Sequence, residues 1–219
     1  MQNRNTKTSI ARGVSRLLSV AALGMVFTLA LPQAARADRI TVPPVPGDIA
    51  APVNTRVFLV GHGVGTQNYI CLPSGTSVAY TLFTPQATLF SDSGQQLITH
   101  FFSPNPDEGN SVVRVTWEDS GDTSTIWAQL TQPSSDPRFV AKGAVPWLLL
   151  HVVGREAGPT GGSKLLRTSD VQRLNTEGGV APPTGCSTAK DIGNKAFVPY
   201  KADYFFYEQI TPRLVDDQQ

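Results

Sequence analysis

Residues 111–130 read SVVRVTWEDSGDTSTIWAQL, and this stretch decides the fold class. Val113, Val115 and Trp117 fall on one face of an extended chain, while Arg114 and Thr116 fall on the other. That period of two is the mark of a half-buried antiparallel strand. Ser120-Gly121-Asp122 then supplies turn residues, and Thr125–Leu130 begins a second run rich in β-branched and aromatic side chains. Strand, tight turn and strand make a hairpin.

The same pattern extends both ways along the chain. Short apolar or alternating runs occupy Arg56–Val60, Gln67–Leu72, Ser77–Phe83, Ala87–Phe90, Gln96–Phe102, Val145–Val153 and Tyr204–Tyr207, bounded by Gly, Pro, Asp or Ser. Ser93-Gly94 marks another tight turn. No window of a dozen residues keeps a helical i, i+3, i+4, i+7 stripe, and only Val171–Asn175 is expected to form a short helical turn. The expected fold is all-β, an antiparallel β-sandwich or barrel-like domain with short connecting turns and little helix. VPWLLLHVV (145–153) reads as a central strand buried on both faces, with Pro146 at its start and His151 at its polar end.

Residues 1–37 carry the pattern of a secretory signal peptide. Arg4, Lys7, Arg12 and Arg16 precede an apolar stretch from Leu17 to Leu31, and Ala35-Arg36-Ala37 offers a small-x-small cleavage site. The stretch is shorter than the ~20 residues that span a bilayer, so cleavage after Ala37 is expected rather than an anchor. No cysteine follows it for lipoprotein processing, and Arg12 and Arg16 do not form a twin-arginine pair. Residues 38–54 hold four prolines and read as an extended arm. Residues 55–219 are expected to form a single β domain, secreted or periplasmic, with no membrane span after cleavage.

Charge and composition exclude several classes. The 219 residues carry 18 basic and 17 acidic side chains, a net charge of +1. Without the five basic residues of the first segment, 13 basic face 17 acidic, a net charge of −4. Such a domain has no electrostatic reason to bind nucleic acid. An apolar content of 40% excludes a disordered chain, and two cysteines are too few for a disulfide scaffold. In an exported chain Cys71 and Cys186 are expected to pair, closing a loop of about 115 residues worth up to ~4–5 kcal/mol. Two free thiols or an intermolecular bridge are the alternatives.

The motifs for chemistry are sparse. Gly61-His62-Gly63-Val64-Gly65 follows a strand, but its G-x-G-x-G spacing and the absence of a following helix leave no dinucleotide fingerprint. The glycines read instead as a bend between two strands. His62, His100 and His151 form no H-x-H or H-x-x-x-H pair, and there is no Cys-x-x-Cys, so no metal or cofactor is expected. No G-x-S-x-G elbow is present. The adjacent acids Asp107-Glu108 and Glu118-Asp119, with Asp122 close by, read as solvated turn residues, and Trp117 and Trp127 as core.

With GTQNYIC (65–71), ATLF (87–90), THFF (99–102), TWEDSGDTSTIWA (116–128), VPWLLL (145–150), QRLNTEGGVAP (172–182), GC (185–186) and PYKADYFFY (199–207) set out in order, the chain resembles the secreted bacterial and fungal family known as domain of unknown function 3455. The resemblance implies an exported, mostly β domain and carries over no catalytic residue or cofactor. The malate dehydrogenase label borne by some fungal relatives does not transfer to a chain without a dinucleotide fingerprint. Lys201 stands where the family usually has threonine.

Together these readings point to a monomeric, exported, non-catalytic protein, either a binding protein or an envelope-associated stress-type protein. Its ligand is unknown, a glycan or a small molecule. The rival reading is a secreted enzyme or metal-binding protein that uses His62 and His100 with a nearby acid. His62, Gln67, His100 and Asp122 are the candidate polar cluster.

Overall fold

The computed structural model describes residues 39–109 and 111–210, so the expected signal peptide lies outside the described residues. Eight strands follow one another: β1 (Thr55–Ser74), β2 (Ser77–Phe90), β3 (Gln96–Pro104), β4 (Val113–Asp119), β5 (Thr125–Ser134), β6 (Trp147–Glu156), β7 (Thr168–Gly178) and β8 (Lys195–Gln209). Each pairs antiparallel with the next, and β8 pairs back with β1 to close a barrel. Closure leaves no free sheet edge, and an eight-stranded barrel has an interior that side chains can fill. Of the two expected architectures, the barrel is the one formed.

Several runs join into longer strands. Arg56–Val60 and Gln67–Leu72 are halves of β1, which passes through the glycines without a bend between two strands. Gly61 and Gly63 face inward, where a Cβ would press on the side chain of Leu89 and the ring of Tyr204 respectively. The glycines therefore form a smooth inner wall against which larger side chains lie. Likewise Ser77–Phe83 and Ala87–Phe90 merge into β2. Asn175 takes a left-handed φ of 50° where the register with β8 shifts, and Val171–Leu174 is extended within β7 and not a helical turn. Its neighbours β6 and β8 supply ladder bonds that a five-residue helix could not match.

Inward-facing residues alternate along every strand and meet in the middle of the barrel. His100 stacks on Trp117 with ring centroids 4.7 Å apart. Tyr204 and Phe206 meet Trp117 edge-on at 6.0 and 6.1 Å. Leu89, Ile98, Ile126, Leu150 and Val171 complete this core.

A second apolar layer lies outside the barrel. The proline-rich arm runs over the outer wall, and its Ile49 is fully buried with Val140, Trp147, Leu149, Leu174, Phe205 and Tyr207. Gln172 Nε2 donates to Ile49 O at 2.6 Å, while the Tyr207 hydroxyl donates to Gln172 Oε1. This cover explains why β6 to β8 are apolar on both faces. His151, expected at a strand end, instead projects from mid-β6 and bonds Asp170 at 3.0 Å.

The outer side of β4 is also covered. Thr116 is fully buried, contrary to its expected half-exposed face. Its hydroxyl bonds Ser103 Oγ, which accepts from Trp127 Nε1 at 2.8 Å, and the loop after β3 lays buried Asn105 across the sheet. Elsewhere the outer wall carries charge pairs such as Arg56–Glu208 and Lys201–Glu177. A lipid-facing barrel wall is apolar in its place. Among the described residues no helix is long and apolar enough to cross a membrane.

Cys71 and Cys186 form a disulfide across a sequence separation of 115 residues. Cys71 N donates to Asn194 O, and Gly193 N donates to Cys71 O, so the segment before β8 is held along the end of β1.

Candidate functional site

The alternation of β1 separates the residues of the expected polar cluster. Gly61, Gly63 and Gln67 face the lumen, which puts His62 on the outer wall. There His62 Nδ1 bonds Asp203 at 2.7 Å and Nε2 bonds Asp92 at 2.8 Å. The hydrogen bond to Asp203, reinforced by Asp92 and opposed by partial burial, raises its pKa. Asn175 Nδ2 donates to the other oxygen of Asp203, fixing that carboxylate.

Asp122 lies at the far end of the barrel, in the turn between β4 and β5. Its Oδ1 accepts from the backbone N–H of Ser124 at 2.9 Å and from the Ser124 hydroxyl at 2.6 Å. Its Oδ2 accepts from Ser163 N and Lys164 N, both at 2.8 Å. Burial pushes this carboxyl up, but the Ser124 hydroxyl and the three N–H donors outweigh it and hold the pKa down to about 2. This is a clamp on the β6–β7 connection. Asp119 is buried as well, against expectation, because it bonds Gly121 N and Asp122 N and pairs with Lys164 at 2.8 Å.

Gln67 and His100, by contrast, are brought together. Both line a cavity of about 210 Å³ at the opposite end of the barrel. Tyr69, two residues beyond Gln67 along β1, faces the same space, and the extra residue Phe83 in β2 opposite Asn68/Tyr69 lets both Leu82 and Pro85 line it. Leu82, Phe102, Val115, Leu148 and Leu150 give apolar walls, and Trp117, Tyr204 and Arg173 complete the lining. Gly179 shapes the rim. It has a φ of +83°, its carbonyl accepts from the Tyr69 hydroxyl at 2.7 Å, and a Cβ there would press on Gln67, Val145 and Tyr200.

The polar groups of the cavity are poorly paired. His100 Nδ1 donates to Thr116 O at 2.9 Å, which leaves Nε2 as a bare acceptor on a neutral ring. Burial, aided by the nearby Arg173 charge, lowers the His100 pKa to about 3. So weak a base is ill suited to general-base catalysis at neutral pH. Arg173 is 8% exposed, and its Nη2 donates to Pro146 O at 2.8 Å. Arg173 Nε, Gln67 Nε2 and Trp117 Nε1 are buried without a well-formed hydrogen bond, with the Tyr204 hydroxyl close to Arg173 and the Tyr200 hydroxyl close to Gln67. Native interiors leave few such groups, and each calls for an explanation.

Among the described residues no group of three or more His, Cys, Asp or Glu could hold a metal ion. Sequence reasoning missed Arg173, Tyr69 and Tyr204. An arginine in the apolar company of Val171 and Leu174 was the available signal for the first, hidden by the helical reading of that segment.

Comparison with known proteins adds the family. The description "Protein of unknown function (DUF3455)" matches residues 52–208. No curated protein and no solved structure matches the chain at a significant level.

Proposed function

The chain belongs to this family of unknown function, and from the geometry of its barrel we propose that it is a binding protein. It holds a small, mainly apolar molecule in the cavity beside Trp117 and does not transform it. The observation that carries this reading is the set of three unpartnered buried donors, Gln67 Nε2, Trp117 Nε1 and Arg173 Nε, on residues that line an otherwise apolar cavity. A pocket with apolar walls and a few convergent polar groups is the usual form of a small-molecule site. The neutral, weakly basic His100, set apart from His62 and Asp122, favours binding over the enzyme alternative.

We also infer an extracytoplasmic location. The Cys71–Cys186 disulfide belongs in an oxidising compartment, and residues 1–37 carry the export pattern. The mass of the exported protein should correspond to a chain starting at Asp38. A mass that retains the first segment refutes cleavage at this site.

The binding reading is tested by thermal unfolding of the exported protein with trans-cinnamamide and indole, alongside native mass spectrometry for a co-purifying small molecule. A ligand of the native state alone raises stability by about 2.7 kcal/mol at a hundred times its Kd. Leu82→Trp, on the cavity wall, should abolish the shift and leave the unliganded Tm nearly unchanged. No shift with either probe, and no bound molecule, overturns the reading.

A further inference from the structure

Arg173 is the only lining residue of the cavity that carries charge at neutral pH. It is buried, yet no carboxylate among the described residues pairs with it. Its neighbours offer no counter-charge. Burial lowers the pKa of His100 and keeps the ring neutral, and burial raises the pKa values of Tyr69 and Tyr204, which stay protonated. A guanidinium removed from water without an anion is costly, and a fold normally pairs it.

Three of the unpaired groups around the cavity, Gln67 Nε2, Trp117 Nε1 and Arg173 Nε, are donors that lack an acceptor, while the His100 Nε2 acceptor lacks a donor. Barrel closure brings two of these donors to one cavity: Arg173 on β7, which stands beside Tyr204 on β8, and Gln67 on β1. The lack of a side chain at Gly63 leaves room for the Tyr204 ring on the inner wall. The acceptor that fits is small and singly charged, because one cation serves it and the surroundings are apolar.

We propose that the cavity takes a small organic carboxylate, with its oxygens on Arg173 and Gln67 and its aromatic or aliphatic body against Trp117, Phe102 and Leu148. A carboxylate accepts only, offers about four lone-pair sites, and matches the planar fork of an arginine. This assignment rests on the reading of the cavity as a binding site and names the class of its ligand.

The test compares trans-cinnamate with trans-cinnamamide, near-isosteres that differ in charge, by calorimetric titration of the exported protein. Cinnamate should bind about thirty-fold more tightly, the equivalent of about 2 kcal/mol, and the preference should vanish in Arg173→Met. Equal affinities in the wild type overturn the carboxylate assignment and leave the binding site standing. Binding of neither probe overturns the carboxylate assignment, and together with no shift by indole and no co-purifying molecule it overturns the binding site as well. Should Arg173→Met fail to fold, the wild type still decides by nitrogen-15 NMR. The Arg173 Nε–H resonance should shift further with cinnamate than with cinnamamide, and an unmoved resonance with cinnamate overturns the assignment.

Discussion

Replacing Asp122 with asparagine separates a structural carboxylate from a catalytic one. In the native protein each oxygen of Asp122 accepts two hydrogen bonds, at 2.6 to 2.9 Å, and ties the β4–β5 turn to Ser163 and Lys164. An amide keeps one acceptor for Ser124 but sets its NH₂ against the N–H groups of Ser163 and Lys164. At least one of those donors is then left unsatisfied, which costs about 1–3 kcal/mol. Linkage gives an independent figure. A pKa lowered from 3.8 to about 2 is worth at most ~2.4 kcal/mol, and partial solvent exposure of the carboxylate reduces this to about 1 kcal/mol. Asp122→Asn should therefore unfold at lower urea with an unchanged slope, by about 2 kcal/mol at pH 7. The folded pKa lies below the unfolded one, so the charge contribution is present above pH 4 and is lost as pH falls through about 2. The gap between wild type and variant should narrow over that interval. A variant as stable as wild type at pH 7, or a gap that stays constant down to pH 2, refutes the clamp.

Three further outcomes follow from the geometry. Thiol titration of the denatured exported protein should find no free thiol, and replacing Cys71 and Cys186 with serine should cost about 2–4 kcal/mol in chemical unfolding; two titratable thiols would sink this. Ile49→Ala removes a fully buried side chain from the arm and should cost about 2–4 kcal/mol, whereas a change below ~0.5 kcal/mol would show that the arm is only loosely held. For His62, whose folded pKa is raised by Asp203 and Asp92, the stabilisation is full below the unfolded value near 6.5 and is lost as pH rises through the folded value. An NMR titration should place its midpoint above 6.5, and a midpoint at or below that value refutes the ion pair.

How legible the molecule was varied from segment to segment. Val113, Val115 and Trp117 announced their strand correctly, because local alternation depends only on the pleat. The same alternation said nothing of what lies outside the sheet, so Thr116 passed for a solvent-facing residue until the loop bearing Asn105 was seen to cover it. The glycines at 61 to 65 looked like a break because glycine usually weakens a strand. Their reason is a steric one from three strands: Leu89 of β2 and Tyr204 of β8 need that surface flat. Arg173 was lost within a segment read as helical, since a short polar-apolar mixture has no decisive period of its own.

The amino-acid sequence by itself determined the all-β class and the positions of the tight turns, and left one possible pairing within the chain for its two cysteines, since these follow from period, turn chemistry and count. Only the tertiary structure decided which face of each strand is inner, and therefore which polar side chains meet. Closing the barrel put His62 outside and His100 inside, sent Asp122 to one end, and brought Gln67 of β1 and Arg173 of β7 to the other. Those two residues are joined by strand register and barrel closure, which are set by every strand at once. No spacing between positions 67 and 173 could have announced it.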